Sequence, residues 1–244
     1  MSEDMNLLAV ESSAGPASVA VLRRENGVEQ IVCTASVNNR LTHSQTLLPM
    51  MEDMLKNAAM TFADITHLAV AVGPGSFTGV RIGVAAVKGL AFAQNLPCLA
   101  VSTLAGMARR FEGLPYNGLL LTAMDARCGQ VYTALFEGQN GTLSRLTQDE
   151  ALPIAELKER LLTETRPILV VGDGAAIVYT ALKEALPYLI LAPVGLRYQH
   201  AVGVAREVVR LADAGKTVSG EELLPAYLRL PQAERELRAK QDKE

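Results

Sequence analysis

The sequence predicts a two-lobed α/β fold, and three observations support this class. The chain has 244 residues, which exceeds the usual size of one domain and favours two domains of about 100 residues each. Apolar residues make up 49% of it and aromatic residues only 5%, a balance typical of α/β layers packed with Ala, Leu and Val. A strand–turn–strand pattern that contains an acidic residue occurs near the start of each half, which indicates an internal duplication.

The duplicated unit is a predicted β-hairpin. In the first copy, apolar runs at 7–10 and 18–22 flank a turn that begins with Glu11. In the second copy, runs at 119–124 and 130–136 flank a turn that also begins with an acidic residue. Because each copy opens one half of the chain, we expect two sheets flanked by helices, with one hairpin in each.

A glycine-rich loop, G-P-G-S-F-T-G-V-R-I-G at 73–83, joins a predicted strand at 67–72 to a helix that ends near Gln94. Glycine allows positive φ and close backbone approach, and Ser76 or Thr78 can cap the helix. The loop cannot be written as G-x-x-x-x-G-K-[ST], its third glycine comes one residue late for G-x-G-x-x-G, and it lacks G-x-S-x-G. It is therefore a tight connector, which serves either packing alone or contact with a ligand or partner.

The helix after this loop lacks a polar face. From 82 to 93 its only polar side chain is Lys88, so the pattern predicts a helix covered on all sides. Small residues would let another helix lie close to it. We therefore expect one side to meet a partner chain, through Arg81, Gly83, Ala86 and Leu90.

A second partner-binding helix is predicted at 44–58, with Pro49 loosening its first turns. Methionines cluster in it, and such clusters form either ordinary core or adaptable contact surfaces. Both interpretations stay open, because one face can turn inward and another outward. The predicted contact residues are Leu47, Met50, Met51 and Met54.

The remaining elements place the division between the lobes. Ser102 or Thr103 can cap a helix to about Phe111, which predicts a first lobe at 1–103 and a second at 104–230. The residues at 231–244 form a balanced charge run, which predicts a solvated tail. The other predicted elements are strands at 167–171 and 188–191, helices at 175–185 and 199–214, the latter packing back on the first lobe, and an apolar segment at 225–230.

Charge and cysteine usage exclude several classes of protein. Lys and Arg number 23 against 26 Asp and Glu, a net charge of −3, so a stand-alone nucleic-acid binder is not expected. The three cysteines lack C-x-x-C spacing, which argues against a disulfide framework or a thiolate zinc site and favours the reducing cytosol. Without an apolar run of about 18 residues, we expect a soluble protein with no membrane contact.

Taken together, the motifs resemble the TsaB family, also called YeaZ. The resemblance covers nearly the whole chain to about residue 229, and its most specific parts are the eleven-residue glycine motif and the D-A-R turn in that order. The matching segments are L-L-A-V-E-S-S at 7–13, H-S before L-L-P at 43–49, the glycine motif at 73–83, V-S-T-L at 101–104, D-A-R-C-G-Q-V-Y at 125–132 and P-A-Y-L-R at 225–229.

The resemblance implies a bacterial cytosolic protein with the two-lobed actin-like ATPase (ASKHA) fold. It further implies a non-catalytic partner of the related subunit TsaD, which makes threonylcarbamoyladenosine beside the anticodon of tRNA. The P-loop ATPase TsaE joins that assembly, and tRNA is reached only through the complex. In the absence of the paralogue, the apolar helices predict a homodimer.

The candidate chemistry agrees with a non-catalytic role. The catalytic paralogue holds its metal through H-x-x-x-H, and His43 occupies the first position here, but Leu47 stands four residues later. We therefore predict no metal, no cofactor and no catalytic residue, and Glu11, Ser12 and Ser13 are the candidates for nucleotide contact. Asp125 and Arg127 either brace the turn of the second hairpin or line the cleft between the two lobes.

Two other functions remain open from the sequence. One is an actin-like kinase or ATPase that uses Glu11 and the glycine loops to hold ATP. The other is a metalloprotease, against which Leu47 in place of a second histidine argues directly.

Overall fold

A computed structural model describes residues 4–39 and 41–229, and these form two mixed β-sheets flanked by helices. The tail predicted at 231–244 lies outside the described residues. The first sheet and its helices comprise β1 (Met5–Glu11), β2 (Ala17–Glu25), β3 (Val28–Val37), α1 (His43–Asn57), β4 (His67–Gly73), α2 (Phe77–Gln94) and β5 (Cys98–Ser102).

The second sheet follows directly along the chain. Its elements are α3 (Thr103–Arg109), β6 (Gly118–Asp125), β7 (Gln130–Gln139), β8 (Thr142–Arg145), β9 (Glu150–Pro153), α4 (Ile154–Leu161), β10 (Ile168–Val171), α5 (Ala175–Leu182), β11 (Leu189–Leu191), α6 (Val194–Arg197) and α7 (Ala201–Asp213).

The two sheets share one topology. In the first, the order is β3-β2-β1-β4-β5, with β2 antiparallel to both neighbours and β1, β4 and β5 parallel. In the second, β8-β7-β6 repeats the antiparallel part and β6-β10-β11 the parallel part, while β9 also pairs with β7. The predicted α/β class with duplicated, hairpin-containing sheets is therefore confirmed.

Each sheet is covered on both faces, as expected for sheets that contain parallel strands. In the first, α1 and α2 pack on one face and α7 on the other. In the second, α4 and α5 pack on one face and α3 on the other. Since α3 and α7 also contact each other, they join the two halves, and Gly106 lies against the backbone of Gly203 and Val204 at their crossing.

Within the part of the chain that the structure describes, no helix has the length and apolar character needed to cross a membrane.

Candidate functional site

A cleft of about 440 Å³ lies between the two lobes, where the first hairpin turn faces the second. The glycine loop forms one wall, and the turn after β6 forms the other. The lining also includes Asp173, which follows β10, and a segment near the end of the described chain. The full lining is Ser13, Ala14, Gly15, Pro74, Gly75, Ser76, Phe77, Met124, Asp125, Ala126, Arg127, Tyr132, Asp173, Ala226, Tyr227, Leu228 and Arg229.

The glycine loop packs directly on the first hairpin turn. Ser76 caps α2, since its side chain accepts a hydrogen bond from the Gly79 amide at 3.3 Å, and its own amide donates to the Ser13 carbonyl at 2.7 Å. A Cβ at Gly75 would overlap the Ser13 carbonyl oxygen, and a Cβ at Gly79 would overlap that of Ser12. Glycine at these two positions therefore allows the backbone of the first hairpin turn to pack closely against the loop.

The three nucleotide candidates stand beneath this loop. Glu11 is 1% exposed and accepts a hydrogen bond from the Ser13 amide at 2.6 Å. The Ser12 hydroxyl donates to the Gly79 carbonyl at 2.9 Å and so pins α2 to the hairpin. The Ser13 hydroxyl is buried and has no hydrogen-bond partner among the described residues. The structure thus brings the three together, with Glu11 and Ser12 engaged in internal contacts.

Burial dominates the electrostatics of Glu11. It raises the pKa of this carboxyl to about 7, assisted by the nearby Asp173 carboxylate and opposed by the hydrogen bond from the Ser13 amide. Burial also raises the pKa of Asp173, whose carboxylate accepts a hydrogen bond from Gln199 at 2.8 Å. Two carboxyls with raised pKa values thus lie at or beneath the cleft, one from each lobe.

The raised pKa of Glu11 gives a pH-dependent stability. Because the folded pKa of about 7 exceeds the ordinary 4.5, the folded state holds the proton more tightly. Stability therefore falls as pH rises between these two values, by roughly 3 kcal/mol in total. Glu11→Gln cannot ionise and should not lose this stability. The difference in free energy of unfolding between Glu11→Gln and wild type, measured by urea titration, should therefore rise in favour of the variant by that amount from pH 4.5 to pH 8. Exposed Glu52→Gln is the control, and parallel wild-type and Glu11→Gln curves would contradict this assignment.

In the second hairpin turn, Asp125 and Arg127 both brace the turn and line the cleft. The Asp125 carboxylate accepts a hydrogen bond from the Arg127 amide at 2.8 Å and pairs with its guanidinium at 3.3 Å, so the two residues brace the turn. Both side chains also line the cleft. Sequence reasoning did not assign a role to Tyr227 or Arg229 in this lining, although the P-A-Y-L-R motif contains them.

His43, the first residue of α1, points at the hairpin turn. Its Nε2 lies 2.8 Å from the Ala14 carbonyl oxygen. Among residues 4–39 and 41–229, no group of three or more His, Cys, Asp and Glu side chains is arranged to hold a metal ion.

Three of the predicted contact residues are buried inside their own lobe, which corrects their assignment. Leu47 and Met51 belong to the core between α1 and the first sheet. Gly83 is buried against the Ser12 side chain and Val70, so no partner helix reaches it. Met50 and Met54 are only half-buried against the same core, so their contact with a partner stays a prediction.

The other predicted contact residues lie on or beside an open face of α2, which is not covered on all sides. Phe92 is 84% exposed, and apart from its chain neighbours and the nearby backbone of α2, nothing described lies within 4 Å of where a Cβ on the exposed Gly89 would be. On α1, Leu48 is 52% exposed and borders an apolar groove of about 490 Å³. We define the α1–α2 surface as Leu48, Ala86, Gly89, Leu90 and Phe92, of which Ala86 and Leu90 are half-buried; Arg81 lies exposed at the start of α2.

The duplicated sheets with a cleft between them define a protein of the two-lobed actin-like ATPase (ASKHA) fold. A family model described as TsaD, tRNA N6-adenosine threonylcarbamoyltransferase, matches residues 38–234. The tRNA threonylcarbamoyladenosine biosynthesis protein TsaB of Bacillus subtilis (strain 168) is 32% identical over 230 residues, which cover 94% of this chain and 96% of that protein. The protein of the same name from Escherichia coli (strain K12) is 34% identical over 188 residues, which cover 77% and 80%.

A solved structure gives the same result. A Pseudomonas aeruginosa protein, described as uncharacterized with similarity to peptidase YeaZ, has a TM-score of 0.76 and 30% identity, and the match covers 92% of this chain and 100% of that one. The chain therefore belongs to the TsaB (YeaZ) family.

Proposed function

We propose that this chain is a non-catalytic scaffold subunit in the formation of threonylcarbamoyladenosine next to the anticodon of tRNA. It assembles in the cytoplasm with a TsaD-like catalytic paralogue and a TsaE-like P-loop ATPase, and reaches tRNA only through that complex. The names of the relatives support the pathway, and the match to the transferase family model supports a related partner. The observation that carries the scaffold role is the open α1–α2 surface.

Phe92 is the largest apolar side chain on the α1–α2 surface. A phenylalanine side chain gains about 1.5–3 kcal/mol when it is fully buried, and Phe92 is 84% exposed in the single chain. The small side chains Ala86 and Gly89 beside it leave room for the backbone of a second helix to approach closely. This surface pairs with a second copy in the isolated protein and with the paralogue in the complex, so the two pairings exclude each other.

The inter-lobe cleft supports the non-catalytic part. The glycines that could cradle a phosphate are packed against Ser12, Ser13 and Ala226 of the same chain. Glu11 is buried under the loop and bonded to the Ser13 amide, so its carboxylate is committed to internal contacts. Such a protein acts by holding a partner in position, and its contribution depends on packing.

An omission experiment tests this function. A reconstituted reaction contains the paralogue, the ATPase subunit, the activated threonylcarbamoyl donor and unmodified tRNA, and the modified nucleoside is quantified by mass spectrometry. With this chain present we expect modification; without it, a loss of at least tenfold. The chain incubated without the paralogue should produce none. Unchanged modification on omission, or product formed by this chain alone, would refute the proposal.

A further inference from the structure

A segment near the end of the described chain crosses the inter-lobe cleft. Leu223 is fully buried in the core of the first lobe, and the Lys88 ammonium on α2 donates to its carbonyl at 3.2 Å. Three residues later, the Ala226 amide donates to the Val72 carbonyl at the end of β4 at 2.7 Å. Gly73 has a φ of +120°, and a Cβ there would overlap the Ala226 carbonyl oxygen. The glycine loop therefore makes room for this segment.

Side chains hold the segment on the first lobe. The Tyr227 ring stacks on Phe77, with 4.9 Å between ring centroids and 29° between planes. The Arg81 guanidinium lies 3.8 Å from the Phe77 centroid, and its Nε donates to the Tyr227 hydroxyl at 2.8 Å. This cluster combines stacking, a cation–π contact and a hydrogen bond at the first turn of α2.

One residue then reaches the second lobe. The Arg229 guanidinium donates from Nη1 to the Ala126 carbonyl at 2.6 Å, in the turn between β6 and β7. A hydrogen bond from a charged donor is about twice as strong as a neutral one. Residues 226–229 themselves line the cleft, so the segment covers the glycine loop while touching both walls.

We propose that residues 226–229 form a clasp, a peptide ligand built into the chain that seats in the inter-lobe cleft and latches the second lobe to the first through Arg229. The clasp keeps other ligands off the glycine loop. Since Tyr227 remains 43% exposed and Leu228 39%, its seat is shallow and its closure is reversible. Loss of the Tyr227 contacts would detach the whole segment from the first lobe. Loss of the Arg229 hydrogen bond would detach the segment only from the second lobe.

The first test asks whether the seat binds the segment in trans. The chain is truncated after Pro225, which retains the buried Leu223, and the peptide of residues 225–229 is titrated into it and followed by amide NMR. We expect saturable shifts at Gly73, Phe77 and Arg127, at least tenfold weaker binding of the peptide with Ala in place of Tyr227, and no response from the full chain. A truncated protein with a folded spectrum and no shifts at those amides would overturn the clasp.

The second test uses the full chain, so that folding of the truncated form is not an issue. Hydrogen exchange measured by mass spectrometry should rise at least tenfold across the glycine loop in Tyr227→Ala, while Arg229→Ala should raise exchange mainly in the turn that contains Ala126. Truncation after Arg229 keeps every contact described above and should leave exchange unchanged. If Tyr227→Ala exchanges like wild type in both regions, the segment does not hold the cleft closed.

Discussion

Gly83→Arg is expected to unfold the first lobe. Gly83 is buried in α2, where an added Cβ would overlap the Ser12 hydroxyl and lie 3.2 Å from Val70 Cγ2. An arginine there would force α2 off the hairpin and bury a charge without a partner, which costs several kcal/mol. Because domains are stable by only about 5–15 kcal/mol, we expect little soluble protein or a fall in Tm of at least 15 °C by circular dichroism.

Gly89→Arg is the matched control on the same helix. Apart from its chain neighbours and the nearby backbone of α2, nothing described lies within 4 Å of a Cβ at Gly89, and the residue is exposed. Arginine also has a higher helix propensity than glycine by somewhat under 1 kcal/mol, so the control should fold with an equal or slightly higher Tm when both proteins are compared as monomers, at a concentration too low for the homodimer. A Gly83→Arg protein that melts like wild type and loses only self-association would show that Gly83 lies on the surface after all.

This pair of glycines shows where sequence reasoning stops. The apolar stretch 82–93 predicts a helix, and α2 spans it, but a helix without a polar face does not reveal which side is buried. Gly83 and Gly89 are equivalent in composition, yet one faces Ser12 and the other solvent. Their difference depends on the long-range contact between α2 and the first hairpin, which periodicity does not encode.

Local signals gave the elements more reliably than the long-range contacts. Both hairpins, α1 and the unit from β4 to α2 follow from alternating or helical spacing and from the glycine loop. The strand β3 has no continuous apolar run to predict it, because it is half exposed at the sheet edge. The turn residues Asn26 and Gly27 before it, both with positive φ, are the hairpin signal that could have revealed it.

The site could be predicted only in part, because local sequence patterns do not show which distant residues come into contact. Glu11, Ser12 and Ser13 are adjacent in the sequence at the first predicted turn, and the structure places them together under the glycine loop. The contacts between that loop and the segment near residue 227 could not be predicted, because they join distant parts of the sequence. Arg81 and Tyr227, which are hydrogen-bonded, are 146 positions apart. The P-A-Y-L-R motif marked the segment without indicating what it contacts.

The α1–α2 surface leads to the prediction with the largest functional effect. Gly89→Arg should weaken homodimer formation, binding to the paralogue and tRNA modification together, because one surface serves both pairings. A charge placed in a contact that must exclude water costs at least about 2 kcal/mol at a central position, or roughly a 30-fold loss in affinity. Sedimentation, pull-down with the paralogue and the modified nucleoside yield measure the three effects.

Two variants decide whether such a loss reflects the surface or the fold. Gly89→Ala keeps the side chain small and improves helix propensity by about 1 kcal/mol, so dimer, complex and modification should all persist. Glu11→Gln changes the cleft and leaves the α1–α2 surface intact, so modification should stay within about twofold of wild type, because packing rather than proton transfer carries the role. If Gly89→Arg supports full modification, the scaffold surface is misplaced. If folded, complex-forming Glu11→Gln is inactive, the cleft takes part in the chemistry and the subunit is not a scaffold alone.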